Sequence, residues 1–194
     1  MPDQKTEAVS GAHSIAPAWS DVTALGGSVH RIRLGGTFGS AWLARLCRGL
    51  AGQRISIQRA HAMRAPNRAW SAELHVVCLL GAPAPERLPL LQLVAAELPD
   101  PGPLELDRYE LTASTAHGGT LQLTIEASDT LGLLGSLLAQ LAKVSLYPLE
   151  MHIETRAGRA EDSLWLYTDH GRPTFEQQEA LERILISALR TSAT

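Results

Sequence analysis

Glu150, His152 and Glu154 are spaced two apart, so on an extended chain they project from one face. Carboxylate and imidazole are the ligand types that hold zinc. One strand face offers too few of them, however, and no HxxxH or Cys–His spacing accompanies it. The expectation is therefore the solvated face of an antiparallel sheet, with no metal. His30, His61 and His75 fall in three other extended patterns, and only strand register decides whether they converge. Cys47 lies on an apolar helical stripe with Arg45 and Arg48 as its charged neighbours, and it reads as core. The chain has no G-x-S-x-G, P-loop or dinucleotide fingerprint. With no identifiable acid–base or nucleophile pair, neither an enzyme nor a cofactor is expected.

The 194 residues are 45% hydrophobic and 19% charged, a globular composition sufficient for one large domain or two small ones. No apolar run approaches the ~20 residues that span a bilayer, and the N-terminus lacks a secretory pattern. Two cysteines without CxxC spacing do not make a disulfide scaffold. A cytoplasmic protein with no membrane attachment is expected. Charge is uneven: nine arginines face three glutamates between Ser28 and Leu98, whereas from position 99 onward seven basic residues face fourteen acidic ones. Such polarity can steer an anionic partner or draw the two halves together. The arginines are dispersed and carry no aromatic–basic signature, so nucleic-acid binding is not expected.

Several elements must position these residues. Residues 1–27 read as a flexible tail. From Val29, His30, Ile32 and Leu34 alternate with Arg31 and Arg33 as a strand. Leu43, Leu46, Cys47 and Leu50 follow at helical spacing. RISIQRAHA and WSAELHVVCLL read as strands, LLQLVAAEL as a short helix started by Pro89, and LELDRYELT as a fourth strand. The second half repeats this order. TLQLTIEA is a strand, LLGSLLAQLAK a helix, and Tyr147, Leu149, Met151 and Ile153 the inward side of another strand. DSLWLYT follows, and then a helix that Thr174 and Gln177 open with capping-box spacing. Leu43, Leu46, Leu50, Ile55, Ile57 and Ala60, each shifted by 91 positions, land on Leu134, Leu137, Leu141, Leu146, Pro148 and Met151. An internal duplication follows from that match and the shared element order.

The segment SDTLGLLGSLLAQLA, with LEMHIETRAGRAEDSLWLYTDHGRPTFEQQEALERILISAL after it, resembles an ACT domain. It is most similar to the C-terminal ACT repeat of bacterial PII uridylyltransferases, enzymes of nitrogen metabolism. The marks are Asp129, Gly132, Leu133 and Leu134 at the turn, then Ile153, Thr155 and Asp162. The two-domain layout resembles the glycine-cleavage-system repressor type, a non-enzymatic regulator. The resemblance implies an α+β fold of two ferredoxin-like βαββαβ ACT-type domains, 28–114 (divergent) and 115–194. Their antiparallel sheets carry helices on one face, and the second copy lacks a clear fourth strand.

The resemblance also implies a free amino acid bound at the strand–helix turn. Ser128, Asp129, Thr130, Leu131, Gly132, Leu133, Leu134 and Tyr147 are the residues concerned. Gly132 lets backbone approach a ligand, a helix N-terminus suits a carboxylate, and Asp129 can accept from an ammonium group. Asp129 is equally an N-cap candidate. Tyr147 stands where the family often has an amide or acid, and Ser56 at the matching place in the first half. The expected function is a non-enzymatic regulator that senses an amino acid and signals to a protein partner. The alternative is a ligand-free interaction or dimerisation module. Leu121–Ala127 would leave an open strand edge, covered by Leu104–Thr112 of the same chain or by a second copy in a homodimer.

Overall fold

Ile32 and Leu34, Leu74 and Val76, Leu123 and Ile125, and Leu164 and Leu166 are buried, whereas the residue between each pair is not. This period of two puts one side of the inner strands under a covering layer. The computed structural model describes residues 17–98 and 100–189. Its strands are β1 (Trp19–Gly26), β2 (Val29–Gly36), β3 (Ile55–Arg64), β4 (Trp70–Cys78), β5 (Arg108–Ser114), β6 (Thr120–Ser128), β7 (Tyr147–Arg156) and β8 (Arg159–Tyr167). They form one sheet of eight in the order β1-β2-β4-β3-β7-β8-β6-β5. Every pairing is antiparallel.

The helices are α1 (Trp42–Gly52), α2 (Leu90–Ala95), α3 (Leu133–Lys143) and α4 (Phe175–Ala188). Leu43, Leu46 and Leu50 of α1, Leu134, Leu137 and Leu141 of α3, and Leu181 and Leu185 of α4 join the strands' inward residues in one core cluster. α1 and α3 meet at the centre of the layer. A Cβ on Gly135 would lie 2.8 Å from Arg48 Cδ and 3.0 Å from the Arg48 backbone nitrogen, so glycine permits this close crossing. The capping box of α4 forms as expected: Thr174 accepts from the Gln177 amide, and the Gln177 side chain accepts from the Thr174 amide.

The structure is α+β, and it departs from the sequence reading in four places. Trp19–Gly26, assigned to a flexible tail, is the edge strand β1; the rest of that tail, 1–16, lies outside the described residues. β1 satisfies the free edge of β2, and Gly35 leaves room for the Trp19 indole, which occupies the space a Cβ would need. Second, the strand assigned to the first copy pairs with β6, the intrachain one of the two coverings expected for that edge, so β5 closes the second copy in cis. Each half therefore runs β-βαββα, with its outer strand first. Third, the halves share one sheet through β3 and β7 instead of forming two.

Fourth, a bulge between Pro148 and Glu150 shifts the phase of β7, so Pro148 is buried where Leu149 was expected. An extra residue in one strand reverses the facing of what precedes it. The same bulge occurs between Ile57 and Arg59 of β3. Its unpaired residue, Gln58, is 91 positions before Leu149, and α1 and α3 also start 91 apart, as do β2 and β6.

Gly135→Ala should destabilise the fold by about 1–3 kcal/mol through overpacking, although alanine favours a helix by about 1 kcal/mol. Gly52→Ala, whose Cβ would meet nothing within 4 Å, should be neutral or mildly stabilising. Urea denaturation of both variants distinguishes these outcomes.

Candidate functional site

Ser128 closes β6 opposite Arg159, and the next amide, of Asp129, donates to the Gly158 carbonyl at 2.8 Å. The chain then turns through Thr130 and the exposed Leu131, with the Leu133 amide donating to the Thr130 carbonyl at 3.0 Å. Gly132, at φ 90°, takes the left-handed conformation that reverses the chain into α3. α3 has no side-chain cap. Asp129 therefore does not act as the N-cap; its carboxylate accepts from Gln58 Nε2 of the first half at 3.4 Å.

Asp129, Thr130, Gly132, Leu133, Leu134 and Gly135 line one side of a cavity of about 30 Å³. Cys47 and Ala51 of α1 and Ile55, Ser56 and Ile57 of β3 line the other. That volume holds about one water. Tyr147 is not among the lining residues. Its ring lies 6.2 Å from that of Tyr167, and burial, together with Asp169, raises its phenol above the usual range. The reason is the junction of the halves: the turn before α3 faces β3 of the other half, so Ser56 takes the place expected of Tyr147.

Beneath the turn, Asp162 of β8 is buried, with its Oδ1 lacking a hydrogen-bond partner. Burial pushes its carboxyl up to about 7, against a bond from the Glu154 backbone, and the charge of Asp129 adds to the rise. Cys47, also buried, has its thiol pushed up to about 12 by burial and by Asp162, which leaves it inert as a nucleophile.

The turn of the first half, Thr37 to Ser40, borders a cleft of about 1010 Å³ shared with Arg64, Arg68, Tyr167 and Asp169. Ser40 donates to the Asp169 carboxylate, and the Arg64 guanidinium donates to the Tyr167 hydroxyl while lying 5.1 Å from the ring centre.

On the opposite face of the sheet, the predicted trio separates. Glu154 pairs with Arg59 at 3.0 Å and Arg156 at 2.7 Å. Glu150 instead receives His152 Nε2 at 2.7 Å, His117 Nε2 at 2.7 Å and His61 Nε2 at 3.6 Å. The three histidines of the first half do not converge: His30 faces inward near Glu86, His75 pairs with Glu73, and only His61 reaches the junction. The signal that joins His61 to His152 was present in the sequence, because they too are 91 apart.

No family model and no curated protein matches this sequence. A solved structure of aspartate kinase from Synechocystis is similar over 82% of this chain and 27% of that one, at 16% identity and a TM-score of 0.45. The chain thus spans about a quarter of that protein, and a likeness of this degree assigns it no activity.

The raised Asp162 carboxyl makes stability depend on pH. Its folded value near 7 exceeds the ordinary 3.8, so the folded state holds a proton that the unfolded chain releases. The contribution is complete below about pH 4 and is lost as pH rises through 7. Asp162→Asn should remove up to about 1.4 kcal/mol per pH unit of this decline between those limits, read from urea midpoints across pH.

Proposed function

We propose that this chain is an ACT-type regulatory module that binds a free amino acid at the junction of its halves and signals to a protein partner without catalysing a reaction. The observation that carries the reading is the uncapped start of α3 beside Asp129. Leu134 and Gly135 of the first turn line the cavity, and that turn has no side-chain cap, so its free amides suit a carboxylate. Asp129, held by one long bond from Gln58, is free to accept from an ammonium group. Asp162, with its unpartnered oxygen, adds latent negative charge beneath it.

An amino acid needs more room than about 30 Å³, so binding draws the turn away from Ser56–Gln58 and shifts α3 against α1. That movement is the signal. A partner protein or a second copy of the chain reads it at the sheet's outer edges, β1 and β5, where Trp19 and Leu25 are exposed. One observation favours a second binding place: the cleft at Thr37–Ser40 is ligand-sized and holds guanidinium groups beside Asp169, a charge pair complementary to an amino acid.

Thermal denaturation with each of the twenty amino acids tests the reading. A ligand at a hundredfold excess over its Kd should add about 2.7 kcal/mol. Asp129→Asn should abolish that gain and Asp169→Asn should leave it. The reverse pattern moves the site to the cleft. Should no amino acid raise the midpoint, the sensor reading fails in favour of a ligand-free interaction module.

A further inference from the structure

We propose that His61, His152 and Glu150 form a binding site for a zinc-type divalent transition-metal ion, on the open face of the sheet where the two halves join. This reverses the expectation of no metal, which rested on one strand face offering too few ligands. The missing ligand comes from the neighbouring strand. His61 of β3 and His152 of β7 are direct cross-strand partners, with ring centres 4.5 Å apart. Glu150 follows on the same face of β7, and one donor atom from each of the three residues falls within 4.8 Å of the others.

Donor atoms bonded to a tetrahedral zinc at ~2.0–2.1 Å lie about 3.3 Å from one another. Glu150 Oε1 is already 2.7 Å from His152 Nε2 and 3.6 Å from His61 Nε2, so small side-chain rotations complete the set. Two imidazoles and a carboxylate suit zinc, cobalt or nickel better than calcium or magnesium, which take oxygen ligands. A fourth position stays open to water, because both imidazoles are about half exposed.

Two features make this more than a chance meeting of surface side chains. First, β3 and β7 are the central pair of an eight-stranded sheet, so the backbone holds the ligands in place. Second, His117 donates to the other oxygen of Glu150 at 2.7 Å, an outer partner of the kind that orients ligating carboxylates. An open depression of about 450 Å³ lined by His61, His152, Arg59 and Glu154 gives an ion access. Because His61 belongs to the first half and the other two ligands to the second, the ion would bridge the halves.

Isothermal titration of the full chain with Zn²⁺, and the visible spectrum with Co²⁺, test the site. One ion per chain is expected, with Co²⁺ showing intense tetrahedral bands. His61→Ala and His152→Ala should each abolish this binding, and His117→Ala should weaken it about 10–100-fold. His75→Ala, on β4 beside Glu73, should leave it unchanged. Circular dichroism checks folding, and imidazole resonances of His61 and His152 that shift on Zn²⁺ addition report on the unaltered chain. Absence of binding at micromolar Zn²⁺ would overturn the proposal. So would binding that survives in both His61→Ala and His152→Ala, or Zn²⁺ that moves other histidine resonances and not these two.

Discussion

The antiparallel pairing of β3 with β7, from Arg59 opposite Glu154 to Met63 opposite Glu150, is the constraint on which the other features depend. It merges two four-stranded units into one sheet and sets which residues of each unit meet. Ala60 and Ala62 face the helices with Ile153 and Met151, while Arg59, His61, Glu150, His152 and Glu154 face outward. A one-residue slip of either strand would exchange these sets and put charge into the core. His61 and His152 occupy the same position in the two copies and sit opposite one another, so the local two-fold relation passes between them. Any self-facing position on such a relation brings together two copies of one residue.

The same junction brings α1 against α3 and leaves buried polar groups there incompletely paired. Arg48 donates to Ser136 and to the Asp100 carbonyl at 3.4 Å, both long bonds, and its Nε has no partner. Asp162, below the second turn, also keeps one oxygen unpaired. Buried groups left without partners cost stability, and Arg48 and Asp162 place part of that cost at the junction. Within the halves Leu46, Leu50, Leu137 and Leu141 are fully buried among apolar neighbours, although the buried Trp42 indole nitrogen of the first half also lacks a partner.

The two turns have diverged in accordance with their sequences. The second has a carboxylate, a left-handed glycine and a cavity of only about 30 Å³. The first lacks a carboxylate and is longer between Gly39 and Leu43, and it opens on a broad cleft where Asp169 of the other half supplies the negative charge. The two halves share a frame with a 91-residue offset, and the polar chemistry at the two ends of the junction differs.

Local pattern made most elements legible. α3 covers the eleven residues read from its leucine stripe, and the capping box of α4 forms where Thr174 and Gln177 predict it, because both depend on neighbours within one or two turns. The 91-residue repeat was legible for the same reason. β1 was not, since Trp19–Gly26 alternates weakly and gains its order from the edge of β2. The pairing of β5 with β6 was legible as one of two alternatives, because the open edge of Leu121–Ala127 needs a partner, but no local pattern records whether that partner comes from the same chain. The bulges at Gln58 and Leu149 escaped a reading built on strict alternation. At the sites, sequence alone determined which donors and acceptors exist: the turn with Asp129 and Gly132, and the outward Glu150 and His152. Tertiary structure decided that Asp129 reaches Gln58 instead of capping its own helix, that Ser56 replaces Tyr147, and that His61 and His117 gather at Glu150. Those meetings join residues 33 to 91 positions apart, and only strand register and helix packing, which no local pattern encodes, bring such distant side chains within bonding distance.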